Sequence, residues 1–380
     1  MTDTTKRTRA RSGVAASGAP GLSAVLLAAG QGSRMRSERP KPLHRLCGSP
    51  MLSYVLDSLS SSGVDRAVIV VGHKGEWVTK KMSEESPGVP LDFVEQRVQR
   101  GTGDATMVGL VGLPEDDDGD VLVMPGDTPL LRSVTVEALV AHHRSSGAAA
   151  TLLTSLIDDP TGYGRIIRSP ADKVTAVVEE GDATEDQRAI HEVNTSIYCF
   201  RRSLLAPALR RVQPDNSQGE YYLTDVVGVL VDAGHTVEAI QAPEGETQGV
   251  NDRAQLAAAE AELRRRTNHD LLGAGVTMVD PSATYVDTTV TLGRDVSLFP
   301  GVILQGSTVV GDGTEVGPGC RLVDTTVGSD CVLTHVVAER AVIGDRATVG
   351  PFASIPAGSE VASDTTTGAF YTPDPEAGRT

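Results

Sequence analysis

Two rhythms of apolar and polar positions divide this chain. Through residues 22–270, short apolar runs alternate with longer stretches in which apolar residues recur every three or four positions. Val25, Leu26, Leu27, Ala28 and Ala29 make the first run, closed by Gly30, and residues 66–72, 91–96, 121–124, 148–156 and 173–180 give others. Runs of that length bounded by turn residues predict strands. Met51, Leu52, Val55, Leu56 and Leu59 share one face of a helix predicted over 51–62. A polar helix is expected to end near Glu85 and another to start near Gly103. Residues 218–225 open a further helix, with Val226, Val227, Leu230 and Val231 as its apolar face, and one more runs from 249 to about Asp270. Residues 192–195 begin another strand. Strand–helix alternation at this spacing predicts an α/β, Rossmann-like domain with a mostly parallel sheet, whose ligands lie at the carboxyl ends of the strands.

From about Val279 the rhythm changes to six. Val286, Leu292, Leu298, Leu304, Val310, Val316 and Leu322 keep it; after a slip of one it resumes at Val327 and Leu333, then at Ile343, Val349, Ile355 and Val361. Gly293, Gly311, Gly317, Gly328, Gly344 and Gly350 directly follow several of these. An apolar period of six with turn glycines is the hexapeptide pattern of a short left-handed parallel β-helix, here about four to five coils.

Composition narrows the function classes. A formal net charge of −16 over 380 residues argues against an extended nucleic-acid or anionic-membrane surface, so neither partner is expected. It leaves room for a small cationic pocket. No apolar run is long enough for a transmembrane helix. Residues 1–20 carry Lys6, Arg7, Arg9 and Arg11 among Ser, Thr, Ala and Gly, without the apolar core of a signal peptide, and are expected to be a disordered tail. Cys47, Cys199, Cys320 and Cys331 have neither zinc-type spacing nor disulfide density. A cytoplasmic protein is expected.

The candidate chemistry begins where the first strand ends. Gly30, Gly32 and Ser33 open a loop whose backbone N–H groups can approach an oxyanion, and Arg34 and Lys41 add two cations. A P-loop is excluded because no lysine follows Gly32, and a dinucleotide fingerprint because Met35 stands where a third glycine belongs. After the strand at 121–124, Asp127 is a carboxylate placed to bind magnesium beside a phosphate site. Glu115, Asp116, Asp117, Asp118 and Asp120 precede that strand, at the edge away from the ligand, and are expected to form a solvated loop. Gln96 and Gln99 carry amides that both donate and accept, as selection of a uracil edge demands.

The pattern G-x-G-[ST]-R-M-x4-P-K after a strand, here Gly30, Gly32, Ser33, Arg34, Met35, Pro40 and Lys41, resembles the signature of sugar-nucleotide pyrophosphorylases. Leu43, His44, Gly48, Pro50 and Met51 continue it as in N-acetylglucosamine-1-phosphate uridyltransferases. With the coil repeat behind it, the chain resembles the bifunctional N-acetylglucosamine-1-phosphate uridyltransferase/glucosamine-1-phosphate acetyltransferase family over about 22–370. The resemblance implies a disordered tail over 1–20, a nucleotidyltransferase domain over 21–252, a linker helix over 253–274, the β-helix over 275–364 and a C-terminal tail over 365–380. It implies catalytic roles for Arg34 and Lys41, and nucleotide contacts from Leu27, Ala28, Ala29, Gly30, Gln96, Gln99, Gly101 and Thr102. Sugar contacts would come from Gly164, Glu179, Asn194, Glu220 and Tyr222. Mg2+ would sit on Asp127 and Asn251, the latter otherwise a candidate helix cap.

The implied reaction joins UTP and N-acetylglucosamine 1-phosphate to UDP-N-acetylglucosamine and pyrophosphate, in a homotrimer formed through the β-helix. Departures bear on this. Ser33 replaces a frequent threonine and keeps the hydroxyl; Pro125 stands where some relatives have a tyrosine near the sugar, which leaves another hexose 1-phosphate, or dTTP, as an alternative. After Gly350, Pro351, Phe352 and Ala353, the family's arginine pair is replaced around Ser354, Ile355 and Pro356. His335 is the only histidine of the repeat and falls in the wrong coil to be the family's catalytic one, and the chain stops at Thr380. Acetyltransferase activity is therefore not expected. The shortened repeat also motivates a third reading, a non-catalytic sugar-nucleotide-binding subunit.

Overall fold

The computed structural model describes residues 21–85, 88–114, 119–243 and 245–373. Alternation along the first strand sorts two cores. In β1 (Leu22–Ala28), Ala24 and Leu26 face one side of a sheet and Val25 the other, all fully buried. After it come the small hairpin β2 (Arg45–Leu46) and β3 (Ser49–Pro50), then α1 (Met51–Ser61), β4 (Arg66–Val71), α2 (Gly75–Glu85), β5 (Leu91–Glu95), α3 (Thr102–Val111), β6 (Asp120–Pro125), α4 (Ser133–Ser146) and β7 (Ala150–Leu156). A second block follows: β8 (Arg165–Arg168), β9 (Val174–Val178), α5 (Glu185–Arg188), β10 (Glu192–Arg201), α6 (Arg202–Leu209), α7 (Asp225–Asp232), β11 (Val237–Gln241) and α8 (Arg253–Gly273).

The main path of the sheet runs β11-β7-β10-β6-β1-β4-β5. Helices α1, α2 and α4 pack on the Leu26 side, α3, α6 and α7 on the Val25 side. Met51, Leu52, Val55, Leu56 and Leu59 are fully buried, as their spacing predicts. The expected parallel sheet is interrupted by β10, antiparallel to both β7 and β6. The reason is the connection: β10 arrives from the antiparallel β8 and β9 hairpin rather than over a long crossover helix.

Two local expectations need correction. Residues 218–224 are not helical, because Tyr221 donates its N–H to the Arg100 carbonyl at 2.8 Å and accepts from Gly103 N at 2.7 Å; the helix waits until Asp225. Asp120 is not solvated: it is 8% exposed, starts β6, and pairs with Arg144 at 2.8 Å and with the His143 ring at 3.5 Å. Glu115, Asp116, Asp117 and Asp118 lie outside the described residues.

Beyond α8 the chain winds as a left-handed parallel β-helix of short strands, from β12 (Thr277–Met278) to β26 (Glu360–Val361). They stack into three five-stranded parallel sheets, hence five coils. The period-six residues point inward and are buried, Leu292 partly so. Ala338, which the apolar period passes over, fills the inward position between Leu333 and Ile343. The slip of one is absorbed at corners, since Leu322 still pairs with Ala338 and Val327 with Ile343.

Candidate active site

The site assembles where β1, β5 and β6 end and the antiparallel β10 begins. Past β1, Gly32 adopts φ +63°, and a Cβ there would stand 2.8 Å from Lys41 Cβ. Both facts require glycine, and they lay the Lys41 stem across the phosphate-type loop. Lys41 begins a short turn held by Leu43 N to Pro40 O (3.0 Å) and His44 N to Lys41 O (3.2 Å).

The Lys41 ammonium pairs with Asp127 and also reaches Asn251 Oδ1 at 2.9 Å; the Arg34 guanidinium reaches the same Asn251 oxygen at 2.9 Å. Asp127 and Asn251 are 124 positions apart, and one main-chain bond sets them together: Val250 N donates to Asp127 O at 2.9 Å. The helix-cap alternative for Asn251 is resolved by its neighbour. Asp252 accepts from Gln255 N at 2.9 Å and caps α8, so the Asn251 side chain is free to face the cleft.

A cavity of about 340 Å³ joins Arg34, Asp127 and Asn251 to one sugar-side candidate, Asn194; Lys41, Gly164, Glu179, Glu220 and Tyr222 do not line it. Arg34, Asp127 and Asn251 line it, with Pro125, Tyr163 and Asn194. Asn194 sits at a bulge where the pairing of β10 with β7 shifts, and Ser196 there has φ +62°. Burial, then the Asp127 charge, pushes the Tyr163 phenol above its usual pKa.

The remaining candidates are linked by a ring of contacts that meets the cavity at Asn194. Gln99 Nε2 donates to Ala29 O at 2.6 Å, tying the predicted base reader to the end of β1. Gln96 is buried and its Nε2 donates to Asp104 at 2.8 Å and Gly101 O at 3.3 Å; its Oε1 takes part in neither bond. Gly101 has φ +107° and lies against Tyr221, while the Thr102 hydroxyl accepts from Leu223 N at 3.0 Å. That clamp sets Glu220 and Tyr222 beside Gly101 and Thr102. Thr224, next along, donates to Glu179 at 3.0 Å. Glu179 Oε2 lies 3.3 Å from where a Gly164 Cβ would be, and the Gly164 carbonyl accepts from Asn194 N at 2.8 Å. Burial, reinforced by Asp225 and Asp182 and opposed by the Thr224 hydrogen bond, raises the Glu179 pKa. Burial also raises that of Tyr222, whose hydroxyl is enclosed.

Sequence reasoning missed the supports of this ring. Arg165, 1% exposed, ion-pairs with Glu180 at 2.7 Å and donates to the Tyr163 carbonyl, fixing the turn that carries Gly164. Thr224 orients Glu179. Arg165 adjoins the candidate Gly164 and Thr224 lies within 218–225, but the carboxylates they hold, Glu180 and Glu179, come from other segments. A larger cavity of about 610 Å³ lies behind Pro129 and Leu130, among α1, α4 and α8, and includes none of the candidates.

The donor set suits a hard cation. Asp127 and Asn251 offer oxygens that converge on one positive group, here the Lys41 ammonium. Among the described residues no three His, Cys, Asp or Glu side chains gather as a metal cage. A divalent ion here would complete its shell with phosphate oxygens and water, as magnesium commonly does.

Comparison with known proteins gives one consistent result. A family model described as the MobA-like NTP transferase domain matches residues 24–224. The bifunctional protein GlmU of Streptomyces avermitilis is 46% identical over 348 residues, 91% of this chain and 72% of that protein. The GlmU of Thermoanaerobacter pseudethanolicus is 42% identical over 335 residues, 88% and 72% of the two chains. That of Thermobifida fusca is 46% identical over 324 residues, 84% and 66%.

Proposed function

The chain belongs to the GlmU family, with its nucleotidyl-transferring domain over residues 24–224, and from that premise we propose a UTP:N-acetylglucosamine-1-phosphate uridyltransferase releasing pyrophosphate. The observation that carries this reading is the convergence of Arg34, Lys41, Asp127 and Asn251, with Arg34, Asp127 and Asn251 lining one cavity together with Tyr163 and Asn194. A phosphate chain fits the charged end and a hexose the hydrogen-bonding wall.

In this reading a phosphate oxygen of the sugar attacks the α-phosphorus of the nucleotide in line. The new O–P bond forms as the bond to the bridging α–β oxygen breaks, and pyrophosphate leaves with that electron pair. No covalent enzyme intermediate is needed; catalysis is positioning and charge neutralisation. Arg34, Lys41 and the amides from Gly30 to Arg34 stabilise charge growing on the pyrophosphate. Gln96 and Gln99 select the base beside Gly101 and Thr102, and Leu27, Ala28 and Ala29 give the nucleotide its floor. Gly164, Glu179, Asn194, Glu220 and Tyr222 orient the sugar. Asp127 and Asn251 would hold Mg2+, which when bound neutralises phosphate charge.

We assign residues 21–252 to the transferase domain, 253–274 to the linking helix and 275–364 to a β-helix that assembles a homotrimer. No described helix is long and apolar enough to cross a membrane. We also propose that the chain lacks acetyltransferase activity, because Ser354 and Pro356 stand in the segment where the resembling family carries its arginine pair. The deciding assay is Mg2+-dependent pyrophosphate release from UTP, with N-acetylglucosamine 1-phosphate and glucose 1-phosphate side by side. Release with the N-acetyl sugar alone is expected. Because Pro125 lines the cavity, release only with another sugar or with dTTP would keep the mechanism and change the substrate. No release from well-folded protein would favour a non-catalytic binding subunit. Lys41→Ala should lower kcat far more than it weakens nucleotide binding; unchanged kcat removes Lys41 from the mechanism.

A further inference from the structure

Of the two cations at the cleft, only Lys41 touches both oxygens assigned above to a metal. Its ammonium pairs with Asp127 and lies 2.9 Å from Asn251 Oδ1, and the Lys41 and Asp127 side chains are only 14% and 20% exposed. Arg34 is exposed and, of these two oxygens, reaches that of Asn251 alone. The Lys41 stem meanwhile lies over Gly32, at the heart of the phosphate-type loop.

We infer that Lys41 is a resident cation: it occupies the divalent-ion position in the nucleotide-free enzyme, and metal binding exchanges it onto the phosphates. This rests on the reading of Asp127 and Asn251 as the metal's ligands. Three features support an exchange. The main chains that carry the two oxygens are joined by the bond from Val250 N to Asp127 O, and both oxygens meet the one ammonium, so with no cation between them two electronegative groups would lie close in a half-buried cleft. The main chain at Lys41 is held by its turn, while the long flexible side chain can rotate. The same stem crosses Gly32, so an ammonium released from Asp127 reaches the loop amides without moving the backbone. Metal and nucleotide then bind cooperatively. Phosphates accept the ammonium and uncover the oxygens, and by linkage a metal on the oxygens makes the ammonium available to phosphates. Without nucleotide the lysine competes with the ion, so the site binds metal weakly.

The test reads metal binding and lysine accessibility, not turnover. In the nucleotide-free full chain, Mn2+ titrated by electron paramagnetic resonance should bind Lys41→Met roughly tenfold more tightly than the parent. Arg34→Met removes an equal charge that contacts only Asn251, and should tighten Mn2+ by less than about threefold. Equal shifts in the two variants, or none in Lys41→Met, overturn the exchange. Independently, in the unmutated protein, acylation of Lys41 by acetic anhydride, read by mass spectrometry, should be slow without metal. It should speed several-fold with Mg2+ alone and slow again with Mg2+ and UTP. A Lys41 rate that Mg2+ leaves unchanged overturns the proposal, however the variants behave. Absence of pyrophosphate release would count against the transferase reading and leave both readouts intact.

Discussion

Asp312 accepts from Arg294 N at 2.8 Å, Asp324 from Ser307 N at 2.9 Å and Asp345 from Ser329 N at 2.9 Å. Each ties a corner of one coil to the next, its carboxylate engaged by main-chain donors that never leave. In the sheet half, Asp127 meets instead the end of a flexible side chain, and Glu179 a single hydroxyl. Residue type is the same in both halves and the partner differs. A carboxylate held by a main-chain N–H is structure; one opposed by a mobile side chain can change partners, which is what a ligand site requires.

Four substitutions sharpen or break that contrast. The largest effect is expected from Asp127→Asn, which should lower turnover on the order of 10²–10³-fold in the pyrophosphate assay with little change in the unfolding midpoint. A collapsed midpoint would make Asp127 structural, like its counterparts in the coils. Leu304→Ala, in the coil core, should do the reverse. It should cost about 3 kcal/mol in urea unfolding while the folded enzyme keeps its kcat. Asp324→Ala should cost about 1 kcal/mol by freeing Ser307 N, again without touching turnover; a loss of activity would mean that the coil corners speak to the cleft.

The smallest effect is a slope. Burial holds the Glu179 carboxyl above its ordinary value of 4.5, so the folded state keeps a proton that the unfolded chain has already lost. Stability contributed by the protonated form therefore falls as pH rises from about 4.5 through the raised folded value. Glu179→Gln has no proton to lose. Its midpoint advantage over the parent should grow across that window, whereas parallel pH profiles would put the carboxyl in water.

The same contrast explains what the amino-acid pattern made legible. Fully buried runs and the six-residue period predicted the strands of the sheet and the inward rows of the coils, because burial imposes a fixed spacing. Ala338 escaped since a small residue carries little apolar signal, though its neighbours require it to point inward. The antiparallel β10, and the loop over 218–224 in place of a helical start, depend on partners far along the chain: Val123 across the sheet and Arg100 across the cleft. Asp120 read as solvent-facing because composition placed it among acidic residues, while its partners Arg144 and His143 lie far along the chain. At the site, residue types announced the loop, the carboxylate and the amides. That Asp252 takes the cap and leaves Asn251 to face the cleft, and that Thr224 and Arg165 hold Glu179 and the turn at Gly164, are facts of three-dimensional registry.

Helix α8 carries a last consequence. One small cluster seats on it Leu46, Cys47 and Met51, which follow the phosphate-type loop, together with Leu130, three positions past Asp127, and its own Ala259 and Leu263. Farther along, Leu271 packs against the first coils. The two cleft loops thus share a single keel that also anchors the prism behind them. Loosening that keel would not dim the site by degrees: both loops would come adrift together, and the cleft would open or stay shut as one cooperative unit.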